Sequence, residues 1–266
     1  MKILTYDIET APKLGLLWRV WKQNLSPNQL LEDGYILSWA AKWLGSDEVI
    51  FDSVFNYSNK PEDEAHLARG LHSLFEEADA IVTYNGNKFD IPLTNKSFIQ
   101  AGLGPPSDYK SLDLYKTVRS KFNWTYNRLD FVCQELGLGN KVEHEGMPLW
   151  ISCMNGDKDA WQRMEDYNKE DVRLTERLYV HLRPWIRGHP NVNLYSDSKA
   201  DSIRCPSCGS AHVVKRGAEV LAVGRYQAYH CKALVEDNKG EVIPCNRRFR
   251  GRTLLNSPAE RKLLGS

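Results

Sequence analysis

Lys2-Ile3-Leu4-Thr5-Tyr6-Asp7-Ile8-Glu9-Thr10 is the stretch on which the reading of the fold turns. Its alternation predicts a strand over 2–9, with Leu4, Tyr6 and Ile8 on one face and Thr5, Asp7 and Glu9 on the other. The two carboxylates then project from the same face about 7 Å apart. Taken alone, an Asp-x-Glu strand can be a solvated face and nothing more. Its meaning changes with what lies further along. Asp90 closes Tyr84-Asn85-Gly86-Asn87-Lys88-Phe89-Asp90, and Tyr167 and Asp171 bound Tyr167-Asn168-Lys169-Glu170-Asp171. Four carboxylates with no basic residue beside them in sequence suggest a shared divalent-metal site, and oxygen-rich ligand sets favour Mg²⁺ or Mn²⁺.

Around these segments the apolar pattern sets out the elements. Residues 35–44 and 48–55 read as two strands joined at Gly45-Ser46. Leu67, Leu71, Leu74 and Phe75 recur at helical spacing over 62–78, and Ala80-Ile81-Val82-Thr83-Tyr84 is a short buried strand. Helices are expected to start near Asp90 and to cover 129–136. The longest runs from about Asp157 to Trp185, where Trp161, Met164, Tyr167, Asp171, Leu174, Leu178, Leu182 and Trp185 share one face. Asp171 interrupts that inward stripe, and a buried charge needs a partner. A metal ion is one. Tyr167 lies one turn earlier on the same face. Three strands, a helix, a strand and then helices imply an α/β domain whose mixed sheet begins with antiparallel strands. Gly188-His189-Pro190 is expected to end the long helix, with a polar linker over 189–203.

Two-metal phosphoryl chemistry requires a carboxylate able to bridge both ions, carboxylates on either side, and a group that orients the attacking water. Asp7 and Glu9 can serve neighbouring metals, Asp171 can complete one shell and Asp90 the other, while Tyr167 is placed to hydrogen-bond a metal-bound water. Each piece also has a plainer reading. Asp90 before Ile-Pro suits a helix N-cap, Asn85-Gly86 suits a turn, and Tyr167 suits a core aromatic with its hydroxyl at the rim. The basic-aromatic stretch 119–128, with Phe122, Trp124 and Tyr126, either stacks on a single strand or packs internally.

Asp7-Ile8-Glu9-Thr10, Tyr84-Asn85-Gly86-Asn87-Lys88-Phe89-Asp90-Ile91-Pro92 and Tyr167-xxx-Asp171 resemble, in this order, the three motifs of the DEDD 3′–5′ exonuclease superfamily in its tyrosine-containing (DEDDy) branch. The second has the form seen in proofreading domains of family B DNA polymerases. Arg128-Leu129-Asp130-Phe131-Val132-Cys133-Gln134-Glu135-Leu136-Gly137 resembles the helix those domains carry before the last motif. The resemblance spans roughly 1–185. It implies a ribonuclease H-like mixed sheet of five strands flanked by helices. It further implies that Asp7, Glu9, Asp90 and Asp171 hold two Mg²⁺ or Mn²⁺ ions with Asp7 bridging, that Tyr167 orients the nucleophile, and that Asn85 and Phe89 meet the nucleic acid. Because the chain lacks the hundreds of residues of a polymerase, a free-standing exonuclease is expected.

The last quarter reads differently. Residues 199–266 hold 13 Lys/Arg against 6 Asp/Glu, net +7, whereas 1–198 is net −6. An acidic body with a basic tail suits contact with a polyanion. Cys205-Pro206-Ser207-Cys208-Gly209 is a zinc-ribbon knuckle. The return knuckle begins at Cys231 but reaches its second cysteine only at Cys245, which an inserted loop over 232–244 explains. Cys205, Cys208, Cys231 and Cys245 are the expected ligands of one structural Zn²⁺, with His230 or His212 as possible replacements. Cys133 fits the core. Arg247, Arg248, Arg250 and Arg252 are expected to contact phosphate, or else form a solvated charge run.

The chain is 42% hydrophobic and 26% charged, has no apolar run near the roughly 20 residues of a membrane span, and lacks a signal-peptide pattern. A cytoplasmic protein with no membrane partner is expected. The full expectation is a ribonuclease H-like exonuclease domain over 1–188, a linker over 189–203 and a zinc-ribbon nucleic-acid-binding module over 204–266. It would release nucleoside 5′-monophosphates from 3′ ends, preferring single-stranded DNA. RNA processing, or a silent adaptor working through the ribbon, are the alternatives.

Overall fold

The computed structural model describes residues 1–19, 21, 24–195, 202–222 and 224–263. Strand β1 (Ile3–Thr10) leads through the short ladder of β2 (Leu14–Gly15) and β3 (Leu30–Glu32) to β4 (Ile36–Trp43) and β5 (Ile50–Ser53). Helix α1 (Glu64–Glu77), β6 (Ala80–Thr83), α2 (Asp90–Gln100), β7 (Lys110–Asp113) and α3 (Leu114–Lys121) follow. Then come α4 (Leu129–Glu135), α5 (Met147–Met154) and α6 (Lys158–Leu182). The main sheet has the order β5-β4-β1-β6-β7, with β5, β4 and β1 antiparallel and β1, β6 and β7 parallel. This is the mixed five-stranded, helix-flanked, ribonuclease H-like α/β fold.

Side-chain alternation along β1 decides what the two sides of the sheet contain. Leu4, Tyr6 and Ile8 enter one core with Leu67, Leu71 and Phe75 of α1 and Phe98 of α2. Ile3, Ala80 and Val82 enter a second, with Leu114 and Val118 of α3, Val132 of α4 and Leu174, Leu178 and Tyr179 of α6. Thr5, Asp7 and Glu9 are thereby turned away from Tyr6 and toward α6, whose Asn168 meets Asp7.

Helix α6 starts at the Asp157 cap, whose carboxylate accepts from Asp159 N and Ala160 N. It ends at Leu182, three residues before the expected end at Trp185. The reason is Pro184, which has no N–H and whose ring clashes with the carbonyl one turn back. A 3₁₀ turn, Arg183–Trp185, takes over and leaves Trp185 half exposed. The rest of the expected stripe, Trp161 to Leu182, is buried as read. Of the aromatics in doubt, Phe122 and Trp124 pack on the second core, and only Tyr126 is exposed.

The cysteine-bearing segment forms a three-stranded sheet of β8 (Val213–Leu221), β9 (Gly224–Cys231) and, after an inserted hairpin of β10 (Leu234–Glu236) and β11 (Val242–Pro244), β12 (Arg248–Leu254). Helix α7 (Pro258–Leu263) follows. Asp237 closes the hairpin turn by accepting from Lys239 N and Glu241 N. The hairpin lies against α6: Asn238 Nδ2 donates to Arg173 O and to Glu176 Oε2, both at 2.9 Å. Beneath it Glu176 and Lys42 form an ion pair of 2.5 Å, each about 3% exposed. Residues 192–195 of the expected linker form a turn bound to the knuckle through Val192 N and Pro206 O at 2.9 Å, and 196–201 lie outside the described residues. Among the described residues, no helix is long and apolar enough to cross a membrane.

Candidate active site and four-cysteine cluster

Strand β1 and helix α6 bring together Asp7, Glu9 and Asp171, each offering a carboxylate oxygen within 4.8 Å of the others. Asp90 stands beside this trio at the first turn of α2, outside that tight group, with its carboxylate hydrogen-bonded by its own main chain and that of Ile8. The turn that presents it is held from below. Asp113 accepts from Asn85 N at 2.8 Å and Asn87 N at 3.3 Å while also capping α3 through Tyr115 N. Asn85 adopts φ +65°, which asparagine tolerates better than most residues, and a Cβ on Gly86 would come within 2.5 Å of Thr83. Phe89 is half exposed with the Lys88 ammonium 5.4 Å from its ring centre.

Burial, then the neighbouring charge of Asp90, Glu9 and Asp171, pushes Asp7 well above the usual carboxylate range. Burial and Asp171 raise Glu9 to about 8, and burial raises Asp90 to about 6. Burial also raises Asp171, against the pull of Lys141. Such a cluster holds protons or a cation, because its members cannot all ionise unaided. Asp171 Oδ1 is buried with no hydrogen-bond partner. The orphaned oxygen and the converging all-oxygen donors fit a hard divalent cation.

Two contacts were not singled out from sequence. Lys141, in the loop between α4 and α5, places its ammonium on Asp171 Oδ2 and 3.4 Å from the Tyr167 hydroxyl. Burial disfavours that charge, but Asp171, Asp7 and Glu9 hold its pKa above the ordinary lysine value. Asn168 donates from Nδ2 to Asp7 Oδ2 at 3.1 Å and is itself bound through Oδ1 by the Ser38 hydroxyl at 3.3 Å. Tyr167 packs edge-on against His144 and Trp150, its hydroxyl at the rim of the trio. Burial and the surrounding carboxylates raise its pKa strongly.

Replacing Asn168 by Ala should free Asp7 to rotate and lower metal affinity by about 10–100-fold, the usual cost of losing a hydrogen bond that orients a ligand. A metal titration that matches wild type would remove that role.

The raised carboxylates carry a sign for stability. Their folded pKa values lie above the unfolded ones, so the metal-free protein loses stability as pH rises from the ordinary carboxylate range toward 8. A divalent cation binds the ionised form. Calorimetry should therefore show Mn²⁺ or Mg²⁺ raising Tm more at pH 8 than at pH 5. Equal shifts at both pH values would contradict the assignment.

In the C-terminal segment Cys205, Cys208, Cys231 and Cys245 place their sulfurs within 4.8 Å of one another. The closest pairs, Cys208–Cys231 at 3.6 Å and Cys205–Cys245 at 3.9 Å, are too far apart for disulfides but suit four thiolates around one tetrahedral ion. His230 and His212 are outside that group, and Cys133 and Cys153 are buried elsewhere. Arg247 donates to Pro184 O and Ile186 O, so its guanidinium joins the segment to the end of α6. Arg248, Arg250 and Arg252 are exposed on β12, with Arg250 4.7 Å from the Tyr226 ring centre.

A five-stranded mixed sheet carries converging carboxylates on β1 and on α6, an arrangement able to hold a divalent cation. A model of the RNase_H superfamily matches residues 38–183, more than half the chain, and the chain belongs to that superfamily. The match contains Asp90, Tyr167 and Asp171, while Asp7 and Glu9 precede it. Membership supports a nuclease that binds nucleic acid and uses divalent metal. Among solved structures, the family B DNA polymerase of the hyperthermophilic archaeon Pyrobaculum calidifontis is similar at TM-score 0.51 and 19% identity. The alignment covers 69% of this chain and 24% of the polymerase, so the likeness concerns the fold alone, over about a quarter of the polymerase. No curated protein matches the chain.

Proposed function

We propose that the chain is a DEDDy-type 3′–5′ exonuclease, acting on single-stranded DNA in preference to RNA and releasing nucleoside 5′-monophosphates, with a zinc ribbon at its C-terminal end. The observation that carries this reading is the meeting of Asp7, Glu9 and Asp171 around the unpaired Asp171 Oδ1, with Tyr167 at their rim. Two Mg²⁺ or Mn²⁺ ions held by these carboxylates and Asp90 would lower the pKa of an attacking water and neutralise the phosphoryl oxygens. Tyr167 keeps its proton at neutral pH, so it orients water by hydrogen bonding and does not act as a general base. Asn168 fixes the rotamer of Asp7, and Lys141 brings a positive charge to the carboxylate cluster through Asp171 Oδ2. One Zn²⁺ on the four cysteines would close the ribbon, leaving Arg248, Arg250 and Arg252 for phosphate. The proposed units are 1–188 and 204–266.

The reading is tested by digesting matched 5′-labelled DNA and RNA oligonucleotides with Mg²⁺ or Mn²⁺. A metal-dependent ladder shortening from the 3′ end is expected, faster on DNA. Faster cleavage of RNA would turn the assignment to an exoribonuclease, and binding with no cleavage of either polymer would leave a nucleic-acid-binding adaptor.

A further inference from the structure

Between β1 and β4 the chain forms an arm around the β2–β3 ladder, and its described residues carry a concentration of exposed apolar side chains. Trp18 is 94% exposed and Trp21 83%, with Leu16, Leu17 and Leu31 more than half exposed. The arm's base, in contrast, is firmly built. Ala11 N donates to Tyr35 O at 2.9 Å, Asp33 pairs with Lys13 and with Lys96 of α2 at 2.6 Å each, and Gln29 bonds Leu16 through main chain and side chain. The arm thus continues the strand that bears Asp7 and Glu9 and is tied to the helix that begins at Asp90.

Trp18, almost fully exposed on such a support, presents an apolar face of the kind that meets a partner. The charge pattern says which. Residues 14–31 contain Arg19 and Lys22 and no acidic residue, although residues 1–198 as a whole are net −6. Aromatic faces beside cations suit a single strand, whose bases stack while its phosphates are neutralised. Continuity with the carboxylates points the same way, because the arm follows directly on β1, which bears Asp7 and Glu9.

We propose that the tip of this arm, Leu17, Trp18 and Arg19, is a stacking platform for the bases of a single-stranded nucleic acid, sequence-tolerant and centred on Trp18. The proposal rests on the nuclease reading of the neighbouring site and adds to it a surface that holds the substrate away from the reacting end.

The test is fluorescence anisotropy of a labelled oligothymidylate with the full chain, in buffer without added divalent cation. Trp18→Ala should weaken binding roughly ten-fold, the effect of removing one stacked aromatic, whereas Trp18→Phe should stay within about two-fold of wild type. Trp18 is on the surface, so both variants should retain the wild-type circular dichroism spectrum. Equal affinity of Trp18→Ala and wild type would overturn the platform while leaving the nuclease reading in place. Wild type that does not bind the oligothymidylate would overturn the platform, whereas the nuclease reading stands or falls on the metal-dependent digestion. A wild-type dimer in sedimentation that dissociates in Trp18→Ala would show that the tip meets a second copy of the chain instead.

Discussion

Asp7→Ala should lower hydrolysis by about 10³-fold or more while leaving oligonucleotide binding close to wild type. The size follows from what is removed, since metal stabilisation of a transition-state charge is worth several kcal/mol and every ~1.4 kcal/mol is a factor of ten. Asp7 is the carboxylate that the others crowd: Asp90, Glu9 and Asp171 all raise its pKa. Its loss therefore relieves repulsion in the metal-free protein, and Tm without metal should not fall. With metal, the increment in Tm should shrink because a ligand is gone. Activity within ten-fold of wild type at saturating Mn²⁺ would sink the assignment of Asp7 as a shared ligand. The joint pattern of lost turnover, retained binding and undiminished metal-free stability separates a catalytic defect from misfolding.

Glu176→Ala should be strongly destabilising. It strands the Lys42 ammonium, 3% exposed, with its carboxylate partner gone, and it deprives Asn238 of an acceptor. Removing one member of a buried ion pair costs about 3–5 kcal/mol. For a chain of this length that corresponds to a fall of roughly 10 °C in Tm. The double variant Lys42→Met with Glu176→Leu should recover most of the loss, because an apolar pair of similar volume leaves no charge behind. A single variant melting within about 2 °C of wild type would mean that water reaches Lys42 and screens it.

Strand β1 and the buried stripe of α6 were legible because alternation and helical spacing are local, and both elements are long enough to show their period. Strand β7 was not, because Lys110 and Ser111 open it on the exposed side of an edge strand and leave only Leu112 as an apolar mark. Asn168 offered a usable signal: it stands three residues before Asp171, hence on the same helical face. Lys141 offered none. It lies thirty residues from Asp171 in a loop with no periodicity, and only the fold brings the two together. The cysteine set was readable by residue type, and the thirteen residues between Cys231 and Cys245 read as an inserted loop with a turn at Asp237–Gly240, which is the turn of a hairpin resting on α6.

That hairpin limits how the chain can be taken apart. Metal-binding ribbons are attractive as interchangeable cassettes, to be moved between enzymes by cutting at the polar stretch ahead of the first cysteine. Here such a cut would also lift Asn238 off Glu176 and Arg247 off Pro184, uncovering an ion pair that belongs to the other half of the molecule. A graft would need to carry the receiving face of α6 with it, so the unit of exchange is the four-cysteine segment together with the C-terminal half of that helix.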